Sequence, residues 1–216
     1  MKTFQHSFAR YTVWQVLTGQ LQENAYLVKH VSNQALLVDP GDDAGVLLTF
    51  IAQQQAQVQA ILLTHAHFDH IGAVQACREA LGVKVYLHQD AFDSYSRAYI
   101  APARYGLAFT QPEPADIACT VGRHQIGNLE FEALLTPGHA PGHLAFYFKD
   151  GFVLSGDSLF AGSIGRTDIP GADQKLLLER IRTQLYTLPD DTVLLPGHGR
   201  GSTIGREKSS NPFVKG

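Results

Sequence analysis

Cysteine is scarce in this chain: Cys77 and Cys119 are the two it has among 216 residues. They cannot build a disulfide framework or a CxxC metal site, and both read as small buried hydrophobes. Positive charge is not in excess either, with 17 Lys+Arg against 20 Asp+Glu and a net charge of −3. A protein that holds nucleic acid by bulk charge needs a Lys/Arg surplus, so no nucleic-acid partner is expected. No apolar run reaches the roughly 18 residues of a membrane span. The apolar stretch at residues 11–17 reads as a strand rather than a leader. The expectation is a cytoplasmic protein with no membrane partner. Disorder is excluded by 44% hydrophobic residues and the small net charge. What stands in excess is histidine, ten in all.

Turn residues divide the chain into short elements. Residues 12–17, 25–29 and 35–38 read as three strands, the last stopped by Asp39-Pro40-Gly41-Asp42. Residues 44–55 carry a helical pattern, with Val46, Leu47, Phe50 and Ile51 on one side. A buried strand at 60–64 follows, then a helix at 71–81 stopped by Gly82 and a strand at 83–87. Residues 99–118, with Pro102, Pro112 and Pro114, read as a long irregular loop. Strands are expected at 129–135, 144–148 and 152–154, a helix at 172–185 and a last strand at 193–195. Strands and helices alternate in two similar halves without a linker or repeat, which implies α/β layers in one domain covering residues 1–216.

The chemistry concentrates where strands end. His65-Ala66-His67-Phe68-Asp69-His70 follows the strand at 60–64 and offers four metal donors in six residues. In extended backbone His65 and His67 share a face, while Asp69 and His70 lie where the chain turns into a helix. By chance this pattern would arise in roughly one such sequence per thousand. Three more donors stand in small-residue turns after other strands: His139 in Thr136-Pro137-Gly138-His139, Asp157 in Ser155-Gly156-Asp157, and His198 in Pro196-Gly197-His198-Gly199. Strand ends that converge on one rim are where α/β proteins build sites. Imidazole and carboxylate without thiolate suit zinc, iron or manganese. Seven donors are too many for one tetrahedral ion and enough for two, with Asp157 bridging.

Taken in order, H-x-H-x-D-H, P-G-H, G-D and P-G-H-G resemble the metallo-β-lactamase superfamily, and within it the glyoxalase II-like hydrolases. The likeness runs from Val38-Asp39-Pro40-Gly41 to Asn211-Pro212-Phe213. It passes through Ser155-Gly156-Asp157-Ser158-Leu159-Phe160, Gly165-Arg166-Thr167-Asp168 and Gly201-Ser202-Thr203-Ile204-Gly205-Arg206-Glu207. The last of these is similar to the short bacterial type of hydroxyacylglutathione hydrolase. The resemblance implies an α/β fold of four layers, an αββα sandwich of two mixed β-sheets flanked by helices. It implies two divalent metal ions, zinc first, with iron or manganese accepting the same donors. One would be held by His65, His67, His139 and Asp157, the other by Asp69, His70, His198 and the same Asp157. Asp69 and Asp157 thereby count as catalytic too. The implied reaction is hydrolysis of S-D-lactoylglutathione, a small glutathione thioester, to D-lactate and glutathione by a hydroxide held between the metals. The long form of that enzyme adds a C-terminal helical domain for glutathione, which is not expected here.

Other residues have weaker claims. Arg166 stands in for a basic residue of the long form and pairs with a substrate carboxylate, or else with Asp168 or Asp173. Asp39 is expected to orient a ligand histidine, and His143 to support the site rather than serve as an eighth ligand. Asn24 either matches a family position or caps a turn. Tyr95, Tyr99 and Tyr105 either line a substrate mouth or pack as core. Rival readings are an iron persulfide dioxygenase using His67, His139 and Asp157, a lactonase or β-lactamase, and a metal-binding protein without turnover.

Overall fold

In the central strands both faces are apolar, and each face needs its own cover. The structure, a computed structural model, describes residues 2–104 and 108–216. One sheet holds seven strands in chain order: β1 (Thr3–Ser7), β2 (Tyr11–Thr18), β3 (Glu23–His30), β4 (Gln34–Val38), β5 (Gln57–Leu62), β6 (Lys84–Leu87) and β7 (Ile117–Ala118). Pairing is antiparallel from β1 to β4 and parallel from β4 to β7. The other sheet comprises β8 (Gly122–Ile126), β9 (Leu129–Leu135), β10 (Leu144–Phe148), β11 (Phe152–Gly156), β14 (Val193–Pro196) and β15 (Ser202–Thr203), in the order β15-β14-β11-β10-β9-β8. Between them in sequence, β12 (Leu159–Phe160) and β13 (Ser163–Ile164) form a small hairpin.

Strand alternation sorts the side chains into three apolar layers. From β4 and β5, Leu36, Val38, Ala60 and Leu62 face the second sheet, where they meet Phe131, Leu144, Phe146 and Leu154. Their neighbours Ala35, Leu37, Ile61 and Leu63 turn the other way, onto Leu47, Phe50 and Ile51 of α1 (Ala44–Gln53). On the far face of the second sheet, Ala145, Val153 and Leu194 pack with Leu177, Ile181 and Leu185. Each large side chain so buried contributes roughly 1.5–3 kcal/mol. The result is the four-layer αββα sandwich of two mixed sheets. Among the described residues no helix is long and apolar enough to cross a membrane.

Several elements differ from the sequence reading, each for a local reason. The helix expected at 71–81 is two pieces, α2 (Phe68–Ile71) and α3 (Val74–Leu81). The break at Gly72 lets the chain press against Gly41, whose carbonyl would collide with any side chain there. Residues 99–118 are not wholly irregular, because α5 (Ile100–Arg104), after α4 (Phe92–Ser96), and the two-residue β7 interrupt them. The expected helix at 172–185 is α6 (Gln174–Arg180) followed by a π-type turn at Ile181–Leu185. Strands β1 and β8 escaped notice because they are sheet edges with few apolar residues. The last helix, α7 (Ile204–Ser210), escaped because it buries only Ile204 and Glu207.

Strand direction creates the site. β9 and β11 flank the antiparallel β10 and so run the same way, and β14 is parallel to β11. Their C-terminal ends therefore share one rim. The turn after β5 meets that rim, where the Leu144 amide donates to the Thr64 carbonyl at 2.8 Å.

Candidate metal centre

Each donor sits just past a strand end. His65 follows β5, His139 follows β9, Asp157 follows β11 and His198 follows β14, while His67, Asp69 and His70 lie at the start of α2. Two turns depend on glycine. Gly156 has φ +49, and a side chain there would approach Thr64 Oγ1 to 2.5 Å and His143 Nε2 to 2.7 Å. At Gly197 a side chain would run into the Asp157 carboxylate.

The structure brings all seven predicted donors together, in two groups that touch. In one, His67 Nδ1 lies 3.0 Å from His65 Nε2 and 2.9 Å from His139 Nε2. In the other, His198 Nε2 is 3.2 Å from Asp69 Oδ2, and His70 completes the cluster. Asp157 stands between them: Oδ2 is 3.6 Å from His139 Nε2 and 3.7 Å from His198 Nε2, and Oδ1 is 3.4 Å from His70 Nε2. Donors about 2.1 Å from a tetrahedral ion stand roughly 3.4 Å apart, so these separations are those of a shared coordination shell.

Outer hydrogen bonds decide which imidazole nitrogens face inward. The Thr64 hydroxyl donates to Asp39 Oδ2 at 2.6 Å, so its oxygen accepts from His65 Nδ1 at 2.9 Å. His139 Nδ1 donates to the Arg166 carbonyl at 2.9 Å, and His70 Nδ1 to Asp39 Oδ2 at 3.0 Å. In neutral rings the Nε2 atoms of His65, His139 and His70 thus carry lone pairs directed at one another's neighbours. His70 Nε2 and Asp157 Oδ1 are buried with no hydrogen-bond partner among the described residues. Converging lone pairs and carboxylate oxygens in a buried place call for a cation. The donor set fits divalent metal ions.

Protonation follows the same logic. Burial, reinforced by the surrounding imidazoles, holds His65 well below the usual histidine range and His67 down to about 4. Burial opposes charge on His70 as well, yet Asp157 and Asp39 keep it well above that range. Against burial, the His70, His198 and His139 rings hold the Asp157 carboxyl below the usual range.

The remaining predicted residues take distinct places. Asp39 has φ +47 and serves Thr64 and His70 with one carboxylate, its Oδ1 accepting from the Thr64 amide at 2.7 Å. His143 is not left with a nitrogen for metal: Nε2 accepts from the Asp157 amide at 3.1 Å and Nδ1 donates to Thr136 Oγ1 at 2.9 Å. The Arg166 guanidinium is exposed and forms a bidentate pair with Asp168 at 2.8 and 3.0 Å, not with Asp173. Tyr95 is buried in the core beside α3 and lines no mouth, Tyr99 is exposed, and Tyr105 lies outside the described residues.

A clamp from the first sheet went unread. Asn24 Nδ2 donates to the Pro196 and Gly199 carbonyls at 2.8 and 2.9 Å, Gln15 Nε2 donates to Asn24 Oδ1 and Tyr26 Oη donates to the Pro196 carbonyl. This network holds the turn that carries His198. Buried Glu23, bonded to Thr18, lies 3.8 Å from His70 Nδ1. Thr64 had one legible signal, its place immediately before His65; Gln15, Glu23 and Tyr26 had none beyond strand position.

Known proteins share these features. The family model of the metallo-beta-lactamase superfamily matches residues 18–198. The hydroxyacylglutathione hydrolase GloC of Haemophilus influenzae is 36% identical, over 89% of this chain and 93% of its own. The crystal structure of BLEG-1 B3 metallo-beta-lactamase superposes with a TM-score of 0.90 at 41% identity, covering 94% of this chain and 100% of that one. TTHA1623, solved in a di-iron-bound form, gives 0.86 at 45% identity, covering 93% and 99%. Strand-end donors, layer order and these similarities agree: the chain belongs to the metallo-β-lactamase superfamily.

Proposed function

We propose that this chain is a binuclear metal-dependent thioester hydrolase whose substrate is S-D-lactoylglutathione, cleaved to D-lactate and glutathione. The observation that carries the reading is Asp157, set between two complete donor groups with an oxygen toward each. His65, His67 and His139 would hold one ion, Asp69, His70 and His198 the other, and Asp157 both. Zinc suits these donors, and iron and manganese accept them too; the di-iron form of TTHA1623 supports iron. Bound there, two ions supply a water of lowered pKa and polarise the thioester carbonyl.

The chain's own residues do the rest. Asp39 and Thr64 keep His65 and His70 turned to present Nε2, and the Asn24 clamp keeps His198 over Asp69. Asp69 is the donor acid that also borders an open cleft, which places it to take the proton released as water adds to the carbonyl. Arg166 is tied to the donor ring through its carbonyl, which His139 bonds, and a glutathione carboxylate reaching its guanidinium would exchange with Asp168. A thiolate leaves with little protonation, so no further acid is required. The name of the Haemophilus relative supports this substrate. A mononuclear iron dioxygenase would use His67, His139 and Asp157 alone and leaves the second group without a task.

The test is loss of the thioester of S-D-lactoylglutathione by metal-loaded protein and by Asp157→Ala. Chelator-sensitive hydrolysis that falls at least a thousandfold in the variant is expected. No hydrolysis by fully loaded protein would overturn the reading, and oxygen uptake with glutathione persulfide would replace it.

A further inference from the structure

Beside the donor groups lies a cleft of about 430 Å³ that the mechanism above does not use, apart from Asp69 on its border. Its walls come from four places: the turn between β2 and β3, Gly41 and Asp42 in the turn after β4, α2 with Gly72 just past it, and residues 108–110. Leu21, Phe68 and Phe109 give it an apolar surface, with the two rings edge to face at 6.5 Å between centroids. Leu21 is 50% exposed and lines the cleft, so its side chain is open to a ligand there. The charges are of one sign. Asp42 and Asp69 line the cleft, and no lysine or arginine does among its described residues.

We propose that this cleft is the acyl-binding site of the hydrolase, and that besides lactoyl it takes larger apolar acyl groups and rejects anionic ones. The inference rests on the thioester-hydrolase reading and deepens it. Continuity places the acyl group here: Asp69 belongs both to the donor cluster and to the cleft. Volume argues for a larger group, because several hundred Å³ is the size of pockets that enclose whole small molecules. Charge argues against a carboxylate, which would face Asp42 with no lysine or arginine among the described lining residues to answer it. The glutathione portion, with two carboxylates, is therefore directed away from this cleft. Apolar contact then sets selectivity, since each methylene buried is worth roughly a fourfold gain in affinity.

The probes are S-methylglutathione and S-hexylglutathione, thioethers that cannot be hydrolysed, titrated calorimetrically into metal-loaded protein. The hexyl compound is expected to bind at least tenfold more tightly, and Leu21→Asp and Phe109→Ala each to shrink that advantage at least threefold. Leu21 is half exposed, so its replacement leaves the core untouched, and thermal melting checks this. Equal affinities, or an advantage that survives Leu21→Asp unchanged, would overturn the proposal. In turnover, hexanoylglutathione is expected to exceed succinylglutathione in kcat/KM at least tenfold, with Asp42→Lys narrowing the ratio. A ratio near one would also overturn it. Should the hexyl advantage hold while no glutathione thioester is cleaved, the cleft stands as an apolar-group site and the hydrolase reading falls.

Discussion

The Asp157 amide donates to His143 Nε2, at 3.1 Å, and this bond ties the main chain of the central carboxylate to a ring with no freedom left. His143→Ala leaves a buried N–H and the Thr136 hydroxyl without that partner and opens a void. Each orphaned group costs about 1–3 kcal/mol. Urea unfolding should show a loss of about 2–4 kcal/mol in total, and turnover should fall with it. A loss within 0.5 kcal/mol, the range of about what surface changes give, would mean the bond is incidental.

Asp39 answers three donors at once, so Asp39→Ala frees His70 Nδ1, the Thr64 hydroxyl and the Thr64 amide together. Removal of such an outer partner usually weakens metal binding about 10–100-fold. Competition against a chromophoric chelator should register that drop. Affinity equal to that of the parent chain would remove Asp39 from the role of orienting group.

Gly156 forms a left-handed turn on the rim, with φ +49. Gly156→Ala imposes a left-handed backbone on alanine and drives its Cβ against Thr64 and His143. Together these cost about 2–4 kcal/mol. The melting midpoint should fall and hydrolysis with it, whereas Gly82→Ala, with positive φ and open space around it, pays only the backbone part.

Burial pushes the thiols of Cys77 and Cys119 up to about 12. Below that pH the thiolate is scarce in the folded chain, and only the thiolate is reactive. At pH 8 a thiol reagent should therefore count no cysteine in the native protein and two in denaturant. Titration of either thiol faster than global unfolding would contradict this placement.

How much of this could be read beforehand depends on where the information lies. The donors were legible because metal chemistry demands particular side chains at strand ends, and small residues mark those ends. Strands 129–135 and 144–148 were legible to the residue, the first because Leu129, Phe131 and Ala133 alternate with Glu130 and Glu132, the second because both of its faces are apolar. The two-sheet architecture came through the resemblance alone, since no local pattern states which strands pair. Of the Gln15, Asn24 and Tyr26 clamp only Asn24 carried a signal, its likeness to a family position; the clamp itself was out of reach, because Gln15 and Tyr26 look like ordinary strand positions until β3 is laid against the turn after β14. In α7, Glu207 takes hydrogen bonds from Ser202, Gly162 and Asn211. A helix held by a buried carboxylate shows no apolar stripe to find.

The donors come from both sheets, and His67 and His139, 72 residues apart, meet at 2.9 Å. During synthesis the first four donors emerge early, while His198 emerges near the end of the chain. A nascent chain therefore offers an incomplete set until β14 has docked beside β11, so the second group is not whole before that strand is in place. Loading with two ions would mark the end of folding, and any lesion that delays closure of the second sheet, however far from the rim, would be felt as a failure of metallation.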